Sequence, residues 1–290
     1  MKPAPFSHHA PTSVPEAIHL LRENAPEARV LAGGQSLVPM MNFRLARPTV
    51  LIDLNRVADL AYIRDGGDHL AIGAMTRERT IENSDLVRQD CPLLYDATLN
   101  IAHLPIRTRG TIGGSIANAD PAAEYPATVL ALDATLVAQS VRGERRIAAA
   151  DFFDGVLSTT LEPDEILTEI VVPKPPAGSG AAFVEISRRL GDFALAGVAA
   201  QITFDENTVT EVRLAACGVG ARPVRLTNAE AEIRNGELTQ DSLARAGFAA
   251  SGESDPDDDV HATAAYRRKL AGVMTRRALV KAGERAGISL

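Results

Sequence analysis

Apolar residues Ala17, Leu20 and Leu21 fall on one helical face behind Ser13-Val14-Pro15-Glu16, which joins a capping serine, a first-turn proline and a glutamate three residues on. A helix is expected to start there. Arg29-Val30-Leu31 then reads as a short strand running directly into Ala32-Gly33-Gly34. A second helix is expected over 38–45, stopped before Pro48, and Val50-Leu51-Ile52-Asp53 makes another short buried strand. Strand, loop, helix and strand in that order predict a small α/β unit with parallel strands.

A second unit is expected to begin near Asp59. Residues 69–72 read as strand, 80–87 as helix, and Pro92 opens a further helix to 99. Residues 103–126 are dense in Gly, Pro and small side chains, too long for an ordinary connection and too apolar for disorder. An ordered loop with a functional role is the expectation. Helix returns at 128–132 and strand at 135–138. A strand over 166–172 then meets Pro173-Lys174-Pro175-Pro176-Ala177-Gly178-Ser179-Gly180, the clearest linker in the chain.

Beyond the linker, 182–186, 197–204 and 209–216 read as an antiparallel meander, with Asp205-Glu206-Asn207 turning between the last two. Helices follow at 229–234, 242–249 and 263–286. The last is expected to bury Tyr266, Leu270, Val273, Ala278 and Val280. The fold class is α+β, and the expected units are 1–58, 59–176 and 177–290.

Composition narrows the chemistry. With 46% hydrophobic and 23% charged residues, the 290-residue chain is an ordinary globular protein with enough length for a substantial core. Aromatics at 4%, with no Trp, argue against stacking on bases or sugars, and a net charge of −7 offers no footprint for nucleic acid. Arg188-Arg189 and Arg267-Arg268-Lys269 are short runs suited to a solvated face or ion pairs. Cys91 and Cys217 form no CxxC, so this chain alone builds neither an iron–sulfur cluster nor a zinc ribbon. They read as buried small hydrophobes in a reducing compartment. Met1-Lys2-Pro3-Ala4-Pro5-Phe6 lacks the apolar core of a secretory signal, and a cytoplasmic location is expected. Asp255-Pro256-Asp257-Asp258-Asp259 lacks the glycine and distal glutamate of a calcium hand and reads as a solvated loop. His8 and His9 read as solvated tail residues and His103 as a helix-end or interface residue. No catalytic residue and no metal ligand is assigned.

The chemistry concentrates in two glycine loops. Ala32-Gly33-Gly34-Gln35-Ser36 lies between strand and helix, where backbone N–H groups lack partners; its glycines allow positive φ and close approach, and Ser36 adds a donor. Thr111-Ile112-Gly113-Gly114-Ser115 repeats the pattern inside the long segment, behind Arg107 and Arg109. Two anion nests suit a diphosphate gripped from two sides. Neither loop is a G-x-G-x-x-G fingerprint or a P-loop.

With these residues the chain resembles the FAD-binding medium subunit of the molybdenum hydroxylases, the group that includes aerobic carbon monoxide dehydrogenase, xanthine dehydrogenase and bacterial N-heterocycle hydroxylases. The resemblance runs end to end. It is carried by Ala32-Gly33-Gly34-Gln35-Ser36-Leu37-Val38-Pro39, by Ile106-Arg107-Thr108-Arg109-Gly110-Thr111-Ile112-Gly113-Gly114-Ser115, by Asp164-Glu165-Ile166-Leu167 and by Arg188-Arg189-Leu190-Gly191-Asp192-Phe193-Ala194. It implies FAD held between the small α/β unit and a larger mixed unit, followed by a C-terminal antiparallel sheet with helices. It further implies that Ala32, Gly33, Gly34, Gln35, Ser36 and Leu37, with Thr111, Ile112, Gly113, Gly114 and Ser115, contact the diphosphate and ribityl chain.

Ile101, Glu124 and Leu167 fall where the family places further flavin contacts, and Phe193 where relatives put an aromatic near the ring. Apart from the resemblance, Ile101 and Leu167 read as core, Glu124 as a surface carboxylate and Phe193 as a core residue after a turn. Gln35 and Phe193 stand where carbon monoxide enzymes have His and Tyr, and Glu185 lies near the place of a flavin-directed Lys. These departures leave an N-heteroaromatic or other organic substrate open. The absence of a cysteine-rich insertion speaks against the hydroxybenzoyl-CoA reductase branch.

The implied role is electron relay. A molybdopterin-binding large subunit would oxidise substrate, 2Fe–2S clusters on a small subunit would pass the electrons on, and the flavin would deliver them to an external acceptor. Two other readings remain: a self-contained FAD-dependent oxidoreductase acting on a small organic substrate, and a non-catalytic nucleotide-binding or scaffold protein.

Overall fold

The computed structural model describes residues 1–288, so the last two residues of the third expected unit lie outside the described residues. The chain begins with β1 (Ser7–His9), α1 (Val14–Asn24), β2 (Ala28–Leu31), α2 (Leu37–Asn42) and β3 (Val50–Asp53). The strands form a parallel sheet in the order β1-β3-β2. Ser13 caps α1 by accepting from the Glu16 N–H at 3.4 Å, while the Glu16 carboxylate accepts from the Thr12 N–H at 2.8 Å instead of closing a reciprocal box. Ala17, Ile18 and Leu21 pack on Ile52 and Leu54. α2 ends at Asn42, short of the expected 45, because Arg44 turns to φ 59°. No sequence pattern announces β1. Its polar histidines show no buried run, yet His8 reaches the Asp53 carboxylate at 3.2 Å.

The middle of the chain holds β4 (Ile63–Asp65), β5 (His69–Gly73), α3 (Glu78–Glu82), α4 (Asp85–Asp90), α5 (Pro92–Asn100), α6 (Leu104–Arg107), α7 (Ile112–Asn118) and α8 (Glu124–Ala131). Then come β6 (Thr135–Ser140), β7 (Gly143–Ala148), a hairpin of β8 (Phe153–Gly155) and β9 (Ser158–Thr159), and β10 (Ile166–Pro173). The main sheet is antiparallel, in the order β4-β5-β10-β6-β7. Two expectations are corrected here. The helix expected over 80–87 is two helices, because Ser84 stops one and caps the next by accepting from the Val87 N–H. The loop expected over 103–126 is largely helical: Pro105 sits in the first turn of α6, Thr111 caps α7, and Ala119 closes α7 with φ 50°.

The final part contains β11 (Ser179–Ile186), β12 (Ala196–Asp205), β13 (Thr208–Cys217), β14 (Val224–Arg225), α9 (Thr227–Ala231), α10 (Gln240–Glu253) and α11 (Ala264–Arg285). The strands form an antiparallel meander in chain order, as the alternation predicts. β12 is buried over all but its last residue because both sheet faces are covered. Val198, Ala200 and Ile202 meet Leu270, Met274 and Ala278 of α11, whereas Phe183, Ala199 and Cys217 join Tyr125 and Leu94 in the core of the middle sheet. Cys91 and Cys217 are free and buried. Among the described residues no helix is long and apolar enough to cross a membrane.

The buried stripe of α11 differs from the expected one. Leu270, Met274, Ala278 and Ala282 are buried with Arg267, while Tyr266 is exposed and Val273 and Val280 are only partly covered. Small residues decide the rotation: a Cβ on Gly247 of α10 would come within 2.8 Å of the Gly272 carbonyl oxygen, so these helices touch backbone to backbone. Arg267 donates to the Leu195 carbonyl at 2.7 Å, the Gly218 carbonyl at 3.0 Å and Asp259 at 2.7 Å. Arg267→Met would leave two buried carbonyls without donors. A loss of about 2–4 kcal/mol is expected in urea unfolding.

Candidate cofactor-binding site

The first glycine loop leaves the end of β2 and enters α2. Gly34 takes φ +73°, a conformation that a side chain would strain. Among the described residues the N–H groups of Gly33, Gly34, Gln35 and Ser36 donate no hydrogen bond. The Gln35 side chain folds back to donate to the Gly33 carbonyl at 2.9 Å and so takes up none of those amides. Four consecutive donors without partners, running from the buried Gly33 to the exposed Ser36, make an anion nest.

The second loop is built differently, and the expectation of two equivalent nests is corrected. Its amides are already used: Ile112 N–H donates to the Thr76 carbonyl, Gly113 N–H to the Ala74 carbonyl, Gly114 N–H to the Thr111 hydroxyl and Ser115 N–H to the Thr111 carbonyl. Its glycines serve close approach. A Cβ on Gly113 would overlap Ala74, and one on Gly114 would come within 2.7 Å of the Thr111 hydroxyl and 3.2 Å of the Ala32 Cβ. The second loop is a thin wall facing the first.

The two loops meet directly. A Cβ on Gly33 would overlap the Arg109 carbonyl oxygen and lie 2.8 Å from the Gly110 Cα. Two residues that sequence reasoning missed join them. The Asn55 amide donates to the Ala32 carbonyl at 2.9 Å, and Arg77 donates to the Asn55 side-chain oxygen at 2.6 Å and to the Arg109 carbonyl. Asp53 accepts from the Asn55 N–H at 2.9 Å; that bond and the neighbouring His8 outweigh burial and lower its pKa. The available signal was position, since Asn55 follows the carboxyl end of a parallel strand, where open α/β sheets gather ligand residues.

Leu37 is half-buried at the start of α2, and Ile112 is fully buried in the middle core. Ile101 ends α5, buried, with its carbonyl accepting from Arg107 at 2.7 Å. Leu167 is buried on β10 at a register shift, against the same core as Ile112. Glu124 is not the surface carboxylate that its residue type suggests: it is 5% exposed in the first turn of α8. Burial and then the nearby Glu185 push its pKa up to about 8. Burial likewise raises Glu185 to about 7 and, against the pull of Arg107 and Arg77, Glu78 to about 7. Glu78 and Glu185 each keep one buried oxygen without a partner.

Phe193 is 59% exposed, which excludes the core reading of that residue. Its loop lies against the turn after Ile101, because a Cβ on Gly191 would overlap the His103 ring and come within 2.8 Å of the Ala102 carbonyl oxygen. His103 is the N-cap residue of α6, as its helix-end reading implies. A cavity of about 260 Å³ ends on Asn55 and Arg77, whereas another of about 440 Å³, lined by Leu130, Phe153, Arg222 and Glu253, contains none of the residues above.

A nest of unpartnered amides faced by a thin glycine wall, in a chain of this topology, suits a protein that binds a diphosphate-containing cofactor. Comparison with known proteins gives the family. Residues 4–175 match the FAD binding domain in molybdopterin dehydrogenase, and residues 181–282 match the CO dehydrogenase flavoprotein C-terminal domain. The chain belongs to this family and is an FAD-binding oxidoreductase subunit.

It is 43% identical to the 6-hydroxypseudooxynicotine dehydrogenase complex subunit alpha of Paenarthrobacter nicotinovorans, over 99% of this chain and 97% of that one. It is 39% identical to the caffeine dehydrogenase subunit beta of Pseudomonas sp. (strain CBB1), over 98% of this chain and 97% of that one. Its structure superposes on a chain of carbon monoxide dehydrogenase from Hydrogenophaga pseudoflava with a TM-score of 0.97 at 40% identity, covering 98% and 99% of the two chains.

Proposed function

We propose that the chain holds FAD between its two glycine loops and relays electrons from the 2Fe–2S clusters of a small partner subunit to an external acceptor. A molybdopterin-binding large subunit carries out the substrate oxidation. The observation that carries this reading is the row of unpartnered amides at Gly33, Gly34, Gln35 and Ser36, facing a wall thinned by Gly113 and Gly114.

When bound, FAD supplies the ability to exchange electrons singly or in pairs. This chain's residues do the holding. The four amides and the Ser36 hydroxyl would take the diphosphate, and Ala32, Leu37, Thr111, Ile112 and Ser115 would shape the two loops around the ribityl chain. Ile101 and Leu167, which are buried, would back the ring with apolar packing, and Glu124 and the exposed Phe193 would be its further neighbours. Because burial favours the neutral form of Glu124, that side chain can donate a hydrogen bond at neutral pH where an ordinary carboxylate would only accept. The chain makes and breaks no substrate bond.

Affinity purification of the tagged chain from its source cells tests the reading. Oxidised-flavin absorbance and co-purification of an iron–sulfur chain and a molybdopterin chain are expected. Full turnover of a small substrate by the isolated chain would overturn the relay and favour the self-contained oxidoreductase.

A further inference from the structure

Asn55 and Arg77 belong to neither glycine loop, yet among the described residues every side-chain bond that ties one loop to the other passes through them. Asn55 follows β3, where a short helical turn over Leu54–Arg56 points its amide back at the Ala32 carbonyl. Arg77 follows β5, between Thr76, whose hydroxyl donates to the Tyr62 carbonyl at 2.8 Å, and Glu78, whose N–H donates to the Gly110 carbonyl at 3.1 Å. The Arg77 backbone bridges to Thr111, so its side chain starts at the base of the second loop and ends on Asn55. Its guanidinium donates to a carbonyl and an amide oxygen; partial desolvation and the facing Arg109 outweigh Asp53 and Glu78 and lower its pKa.

The geometry points to Asn55 and Arg77 as positioning residues for the FAD diphosphate: together they form a bracket that sets the spacing between the open nest and the glycine wall. This inference rests on the FAD reading given above. Inside the nest the Gln35 side chain holds the Gly33 carbonyl and the Val38 N–H holds the Gly34 carbonyl, but the donor amides themselves are tied to nothing and Gly34 has positive φ, so the Asn55–Ala32 bond is what fixes the entry of the loop against β3. The bracket fixes that entry in advance, so less ordering remains to be done on binding. Because Arg77 acts on the first loop through Asn55, the two side chains form one connection and their losses should not add.

FAD titration of the flavin-free full chain, followed by fluorescence, tests this with Asn55→Ala, Arg77→Met, the double variant and Arg77→Lys. Each single variant is expected to bind FAD about 30-fold more weakly, and the double variant no more weakly than the worse single. Arg77→Lys, which can still reach one carbonyl, should recover part of the loss. The flavin-free variants should melt within about 2 °C of the parent. Parent affinity in either single variant, additive losses in the double, or a melting drop that tracks the loss of affinity would each overturn the bracket. A parent chain that binds no FAD would instead overturn the cofactor reading beneath it, and the bracket with it.

Discussion

Replacing Gly33 with alanine is expected to weaken FAD binding by about 100-fold or more and to destabilise the flavin-free chain by about 2 kcal/mol. The new methyl group would overlap the Arg109 carbonyl oxygen and crowd the Gly110 Cα, and both obstacles are backbone, so no side chain can swing aside. Either the loops part or the nest turns; each outcome removes the alignment of the four free amides. Fluorescence titration with FAD and urea unfolding of the same preparation measure the two losses. Gly252→Ala provides the contrast. That glycine lies in α10 with nothing within 4 Å of the added Cβ, so affinity should stay at the parent value and stability should rise slightly. Unchanged FAD affinity in Gly33→Ala would mean that the loops can separate without loss of the site.

The second large effect concerns pH. Burial raises Glu124 from its ordinary 4.5 to about 8, so the folded chain keeps that proton over a range where the unfolded chain has released it. The resulting stabilisation is fully present below about pH 4.5 and is lost as pH rises through about 8. Glu124→Gln holds the neutral shape at every pH. At pH 8.5 the flavin-free variant is expected to be more stable than the parent by about 2–4 kcal/mol, and at pH 5 nearly equal to it. Urea unfolding at the two values measures this. A difference independent of pH would show that the Glu124 carboxyl is already charged in the folded chain at pH 5. Glu185 and Glu78, both raised to about 7, add slopes of the same sign at lower pH.

The fold was largely legible because its strands carry strong signals. Val50–Asp53 is a short apolar run, and the meander of β11, β12 and β13 is alternation bounded by a turn at Asp205-Glu206-Asn207. Signals failed where context overrides them. β1 is three polar residues that pair because β3 offers a free edge, and no local pattern announces that. Residues 103–126 looked like loop because glycine and proline disfavour helices, yet capping by Thr111 and the carbonyls of Ala74 and Thr76 hold α7 in place.

The site was legible in its glycines and not in its supports. Gly33-Gly34 and Gly113-Gly114 stand out as pairs, but the pairs look alike, and only hydrogen-bond partners show that one is open and the other closed. Asn55 and Arg77 are ordinary polar residues in sequence, distant from both loops along the chain, and acquire their role through β3 and β5. Glu124 looked like surface because carboxylates usually are. Its burial follows from the packing of α8 on β12 and β13, which a single helix does not reveal.

That packing has a consequence for how relatives can be recombined. The two family matches meet between residues 175 and 181 and invite a cut there, but the hydrophobic cluster does not respect the seam. Phe183, Ala199, Ala215 and Cys217 from one side interlock with Tyr125, Leu94 and Ala97 from the other, and Arg285 near the end of α11 reaches back to Asp96 on α5. Swapping the flavoprotein half for that of a homologue therefore transplants half of a lock without its key. Chimeras should succeed only when the crossover carries α5 and α8 along with the sheet they support, so the unit of inheritance in this chain is larger than either of its two family matches.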